Sequence, residues 1–172
     1  PSNQANQPVL FVSANGTANW GNAIALGVQG KSDQMYYEIR SNSSDLSNSS
    51  NTFSIDSTKT AVNGGWHTIA LVQGAEDFRY YVDGNLVATK TYKLNSGKTI
   101  GSVFANAANF VAHIGSYSEN AGTYQLDGDL DFYQLYNGAL SADDVAYLAQ
   151  NAGALVDADE MNRTMPTVED TA

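Results

Sequence analysis

Two short stretches hold two of the chain's three arginines, and both read as strands. "MYYEIR" (Met35 to Arg40) alternates cleanly, with Met35, Tyr37 and Ile39 on one face and Tyr36, Glu38 and Arg40 on the other. "FRYYVD" (Phe78 to Asp83) does the same, setting Phe78, Tyr80 and Val82 against Arg79, Tyr81 and Asp83. If the apolar faces form a core, Arg40 and Arg79 both look outward from a sheet. Two guanidinium groups on one surface make a carboxylate receptor, because each offers planar, paired donors. Glu38 lies two residues from Arg40 on the same face, where it orients the guanidinium and accepts from a hydroxyl or amide of a ligand. Tyr36, Tyr81 and Tyr117 are placed to flank this surface with flat apolar area. The plainer alternative is a surface ion pair of Glu38 with Arg40 or Arg79, worth under about 1 kcal/mol. Arg163 falls in the C-terminal tail and serves solubility.

The elements that position these residues are mostly short strands. "VLFVSA", "NAIALGVQ", "MYYEIRS", "NTFSID", "WHTIALVQG", "FRYYVDGNLVATKTY", "NFVAHIGSY" and "LDGDLDFYQLYN" carry strand patterning between turn signals. Asp83-Gly84 marks a tight hairpin. "SADDVAYLAQNA" alone reads as a helix, with Ser141 as N-cap, Asp143 and Asp144 in the first turn, and an apolar stripe of Val145 and Leu148. "SNSSDLSNSSN" (41–51) is a polar loop of low complexity. The expectation is an all-β sandwich of two antiparallel sheets with one short C-terminal helix, spanning 1–154. Residues 155–172 then form a linker toward a downstream domain.

Composition narrows the function. The 172 residues carry a net charge of −10 and only 15% charged side chains, with Asn, Ser, Thr and Gly abundant. That charge argues against nucleic acid and anionic membrane as partners. With no cysteine there is no disulfide and no thiolate site. No apolar run approaches the roughly 20 residues that cross a bilayer as a helix. "PSNQANQPVLF" reads as the start of a piece excised from a longer chain. The balance suits a secreted or cell-wall-attached bacterial domain, a monomer within a multidomain chain.

Three stretches resemble laminin-G-like, concanavalin A-type jelly rolls: "GGWHTIALVQGAEDFRYYVDGNLV", "AHIGSY" and "LDGDLDFYQLYNGALSADDVAYL". They cover roughly residues 60 to 150, with Leu130, Tyr133, Leu135 and Tyr136 at the usual apolar positions of the closing strand. The opening half, "LFVSANGTANWGNAIALGVQGKSDQMYYEIRS", resembles the N-terminal lectin domain of bacterial sialidases, carbohydrate-binding module family 40. That resemblance implies a concanavalin A-like jelly roll binding terminal sialic acid on its concave sheet, without catalysis in this chain. It implies sialylated glycans of host glycoproteins or mucin as partners, and a parent exo-alpha-sialidase whose catalytic domain lies outside these residues. Carried over by position, Glu38 and Arg40 are the Glu-x-Arg pair and Arg79 the second arginine, while Tyr117 and Tyr124 pack the sugar. The chain departs from the family where a basic residue often follows the Ile-Gly strand: here "IGSYSEN" puts Glu119 there. Either two arginines suffice, or binding is weak or the ligand has changed. A laminin-G-like adhesin module for another glycan or protein is the rival reading.

Other clusters point elsewhere less firmly. Asp127, Asp129 and Asp131 resemble the start of a calcium loop, but Phe132 and Gly138 stand where an EF-hand needs Gly and Glu. A turn with outward carboxylates explains them, so no cofactor is expected, and a rim calcium, frequent in this superfamily, stays open. His67 and His113 are too few for zinc and read as hydrogen-bonded strand histidines. Trp66 is expected in the core or at an edge; Trp20 is either a loop anchor or a sugar platform. Glycosidase carboxylates are absent as a set: the five glutamates are scattered, and no Glu-x-Asp-x-x-Glu run occurs.

Overall fold

The computed structural model describes residues 7–14, 22–29, 34–41, 50–54, 65–104, 110–117 and 124–154. Its strands are β1 (Gln7–Ala14), β2 (Asn22–Gln29), β3 (Gln34–Ser41), β4 (Ser50–Ser54), β5 (Ile69–Gln73), β6 (Asp77–Val82), β7 (Asn85–Thr91) and β8 (Phe110–Ile114). They form one sheet in the order β4-β3-β2-β1-β8 and a second in the order β5-β6-β7, with every pairing antiparallel. Among the described residues there are two helices, α1 (Ile100–Phe104) between β7 and β8 and α2 (Ala142–Gln150) after β8. The sequence reading anticipated α2 and missed α1, a single turn too short to carry a periodic signal. The expected linker, 155–172, lies outside the described residues, as do Trp20, Glu119 and Arg163.

The two-residue period decides what the sandwich buries. Met35, Tyr37 and Ile39 of β3 meet Phe78, Tyr80 and Val82 of β6 in one core, joined by Leu26 and Tyr92. Tyr37 packs edge-on against Phe78 at 4.7 Å between ring centres. Its hydroxyl donates to Gln73 Oε1 at 3.1 Å, a bond that crosses from one sheet to the other. Burial pushes the Tyr37 phenol well above its ordinary range, so it stays a neutral donor. Among the described residues the buried Tyr80 hydroxyl has no hydrogen-bond partner. Tyr80→Phe should therefore raise stability by about 1 kcal/mol, because it removes a desolvated hydroxyl and keeps the ring. Urea unfolding of the two proteins checks it.

The Asp83-Gly84 hairpin forms as its sequence predicts, with φ of 49° and 76° at the two turn residues. The Asp83 side chain also accepts from Thr68 N at 2.9 Å and meets His67 Nδ1 at 2.8 Å, pinning the turn to the chain that enters β5. Helix α2 starts on a capping box: Ser141 Oγ accepts from Asp144 N at 3.1 Å, and Ser141 N donates to Asp144 Oδ2 at 3.0 Å. Val145 and Leu148 then seat the helix on Val72 and Tyr81. Ser141→Ala should cost about 1 kcal/mol, read as a lower thermal midpoint.

The closing segment differs from expectation. Residues 126–141 contain no strand, and Leu130, Phe132, Tyr133 and Leu135 are exposed rather than packed in the sandwich. Asp127, Asp129 and Asp131 are likewise exposed along it. Trp66, expected in the core or at an edge, is 70% exposed. It precedes β5 rather than belonging to it, so no strand neighbours cover its ring.

Candidate functional site

The outer face of the five-stranded sheet is built around a row of small residues. On β2, Ile24, Leu26 and Val28 turn toward the core and leave Ala23, Ala25 and Gly27 outward. Across from them on β3 stand Arg40, Glu38 and Tyr36, and across on β1 stand Ser13 and Phe11, opposite Ala23 and Ala25. This row is covered: Phe11, Ser13, Ala23, Ala25 and Tyr36 are fully buried and Glu38 nearly so, which makes the face a second core layer with the Arg40 side chain partly exposed. Gly27 is the extreme case: a Cβ there would come within 2.3 Å of the Gln7 carbonyl oxygen, 2.8 Å of Pro8 Cα and 2.9 Å of Tyr36 Cε1. Tyr36 therefore lies across a residue that has no side chain to obstruct it.

Glu38 and Arg40 form an ion pair on this face. Arg40 Nε donates to Glu38 Oε1 at 2.7 Å, with the glutamate side chain 6% exposed and the arginine 40%. A nearly buried carboxylate beside a solvent-facing guanidinium fixes the orientation of the guanidinium plane. Holding Nε in this way costs the arginine part of its rotamer freedom before any ligand arrives. The arrangement suits capture of a small carboxylate, since a pre-oriented guanidinium binds anions through paired N–H donors.

An aromatic cluster adjoins the pair. Tyr36 is buried, and its hydroxyl bonds the hydroxyl of Tyr117. Burial, followed by the neighbouring Tyr117, pushes the Tyr36 phenol far above its ordinary range, so it remains neutral. Tyr117 packs edge-on against Phe11 at 5.2 Å and against Tyr124 at 5.3 Å. His113 of β8 lies opposite Phe11, with ring centres 6.4 Å apart. Of the cluster, Tyr124 is the ring that solvent reaches well, being 46% exposed.

The other two expected site residues are elsewhere. Arg79 and Tyr81 belong to β6, on the face opposite Phe78, Tyr80 and Val82. Tyr81 is buried beneath α2 with Val72, Leu140, Val145 and Leu148. Since the inner faces of β3 and β6 share one core, Arg79 and Arg40 look out from opposite sides of the sandwich. The structure thus pairs Glu38 with Arg40, links Tyr36 to Tyr117 and Tyr117 to Tyr124, and places Arg79 and Tyr81 in the other sheet. Tyr36 serves as a buried support rather than an exposed flank. Phe11, Ala23, Ala25 and Gly27 were not anticipated here, though the alternation of small with branched residues in "NAIALGVQ" is a visible signal of a closely packed second face. Among the described residues, no group of three or more His, Asp or Glu is arranged to hold a metal ion.

Comparison with known proteins agrees with this architecture. Residues 1–146 match the family model of the Concanavalin A-like lectin/glucanases superfamily. The fold is similar to that of the Ruminococcus gnavus IT-sialidase CBM40 bound to alpha2,3 sialyllactose, with a TM-score of 0.62, 22% identity, and coverage of 86% of this chain and 76% of that one. The same R. gnavus module bound to alpha2,6 sialyllactose gives a TM-score of 0.62 at 19% identity, covering 86% and 77%. No curated protein sequence matches significantly.

Proposed function

We propose that this chain, which belongs to the Concanavalin A-like lectin/glucanases superfamily, is a lectin module that binds terminal sialic acid. The observation that carries the reading is the Glu38–Arg40 pair, a buried carboxylate orienting a partly exposed guanidinium beside a buried aromatic cluster. The carboxylate of sialic acid sits on Arg40, and Glu38 holds that arginine while accepting from a sugar hydroxyl or amide. Support comes also from the fold shared with a module whose structures are described with sialyllactose bound.

In this reading the chain performs no catalysis. It is a secreted or surface part of a bacterial sialidase and raises the local concentration of sialylated substrate for a catalytic domain elsewhere in the parent chain. One partly exposed arginine implies modest affinity, roughly 10 µM to 1 mM. Calorimetric titration with sialyllactose beside unsialylated lactose tests the proposal. Heat with sialyllactose alone supports it. Equal binding of both sugars would favour the adhesin-type reading, in which a neutral glycan is the ligand. No binding of either sugar would remove the lectin assignment.

A further inference from the structure

The smaller sheet ends at β5, and that edge is open. The Thr68 carbonyl accepts from Asp83 N, and Gly74 N donates to the Asp77 carbonyl, each at 2.8 Å. These two bonds fix the phase of the ladder, so Thr68, Ala70, Val72 and Gly74 spend their backbone groups on the β6 side. Ile69, Leu71 and Gln73 therefore aim their N–H and C=O groups in the plane of the sheet, away from β6. Among the described residues no strand pairs with that edge. Its sequence, "IALVQ", has none of the charges or prolines that usually blunt a free strand. The edge borders a cleft of about 1100 Å³, shared with residues 126–136 and with Leu10, Leu26 and Val28 from the inner face of the other sheet. Leu10 and Val28 are only half-buried, although they point inward.

We propose that this cleft takes an extended, positively charged peptide segment of a partner protein, which adds to β5 as a fourth strand. The free edge supplies affinity through main-chain hydrogen bonds, which any extended chain can make. The cleft supplies the side-chain preference. Every second residue of the added strand turns toward Leu10, Leu26 and Val28, which favours apolar side chains there. Asp83, Asp127, Asp129 and Asp131 also line the cleft, and no Lys or Arg does so among the described residues. His67 lines it too, with its Nδ1 already bonded to Asp83. Trp66, 70% exposed beside the cleft, offers a ring face to a cation. The occupant that fits is therefore a strand alternating apolar with basic residues. The same carboxylates repel an acidic glycan, so this surface is distinct from the Glu38–Arg40 pair on the other sheet.

Fluorescence anisotropy with a labelled peptide of alternating valine and lysine tests the proposal. The protein should bind this peptide and not its valine–glutamate counterpart. Exchanging the central valines for prolines keeps the charge but removes ladder donors, and should weaken binding about tenfold. Asp127→Asn combined with Asp129→Asn and Asp131→Asn should weaken the lysine peptide about tenfold at an unchanged thermal midpoint, since all three side chains are exposed. Amide hydrogen exchange at Ile69 and Leu71 should slow when the lysine peptide is added. Equal binding of the lysine peptide and its proline-interrupted form shows attraction to an acidic surface alone and overturns the strand addition. Slow exchange at Ile69 and Leu71 in the free monomer shows that residues 126–136 close the edge themselves. The same slow exchange with a doubled mass shows a second copy seated there. Either result overturns the proposal, as does failure of the lysine peptide to bind.

Discussion

On the proposed sialic acid reading, replacing Arg40 by alanine should lower the affinity for sialyllactose by at least about tenfold, while Arg79→Ala should leave it unchanged. The size follows from what Arg40 would supply, charge-assisted hydrogen bonds to a carboxylate, each net worth about 1.5–3 kcal/mol. It is reinforced by what the variant leaves behind: Glu38, almost buried, loses its cation and meets the ligand as an uncompensated like charge. The contrast with Arg79 is the sharper half of the prediction, because it depends on topology and not on residue type. Both are arginines on outward strand positions, but β6 faces away from β3 across the shared core. Calorimetry on the two variants beside the parent protein decides it. Loss of binding in Arg79→Ala with retention in Arg40→Ala would place the carboxylate receptor on the wrong side of the sandwich.

Gly27→Ala is expected to cost about 3 kcal/mol or more of stability and to disturb the site as well. The added methyl would meet the Gln7 carbonyl oxygen at 2.3 Å and Pro8 Cα at 2.8 Å, both backbone atoms of the neighbouring strand, so no side-chain rotation can relieve the contact. The sheet must open at β1·β2, or the methyl must push the Tyr36 ring aside. Either response displaces the support on which Tyr117 rests. A large drop in the urea midpoint together with weaker sialyllactose binding is the expected pair of results. A variant of parental stability would show that the Gly27 contact is looser than these distances allow.

How far the sequence alone determined this protein can be read from β3. The alternation of "MYYEIR" settled which side chains share a face, because strand side chains turn over every residue. It placed Glu38 and Arg40 together, since two residues on one strand keep their face whatever the fold does around them. The Asp83-Gly84 turn and the Ser141 cap were equally local: a primed turn demands positive φ, and a helix start demands an acceptor for its free amides.

Tertiary structure decided what lies across from what. An outward face is defined separately for each sheet, so the periodicities of "MYYEIR" and "FRYYVD" could not say whether Arg40 and Arg79 share a surface. Pairing of β3 with β2 and β4, and of β6 with β5 and β7, puts the two strands in different sheets whose inner faces meet. Outward then means opposite directions. Tyr81 shows the same limit, because its outward face is the one that α2 covers. The union of Tyr36, Tyr117 and Tyr124 also depended on the fold, since residues 81 positions apart meet only through the packing of the assembled sheet.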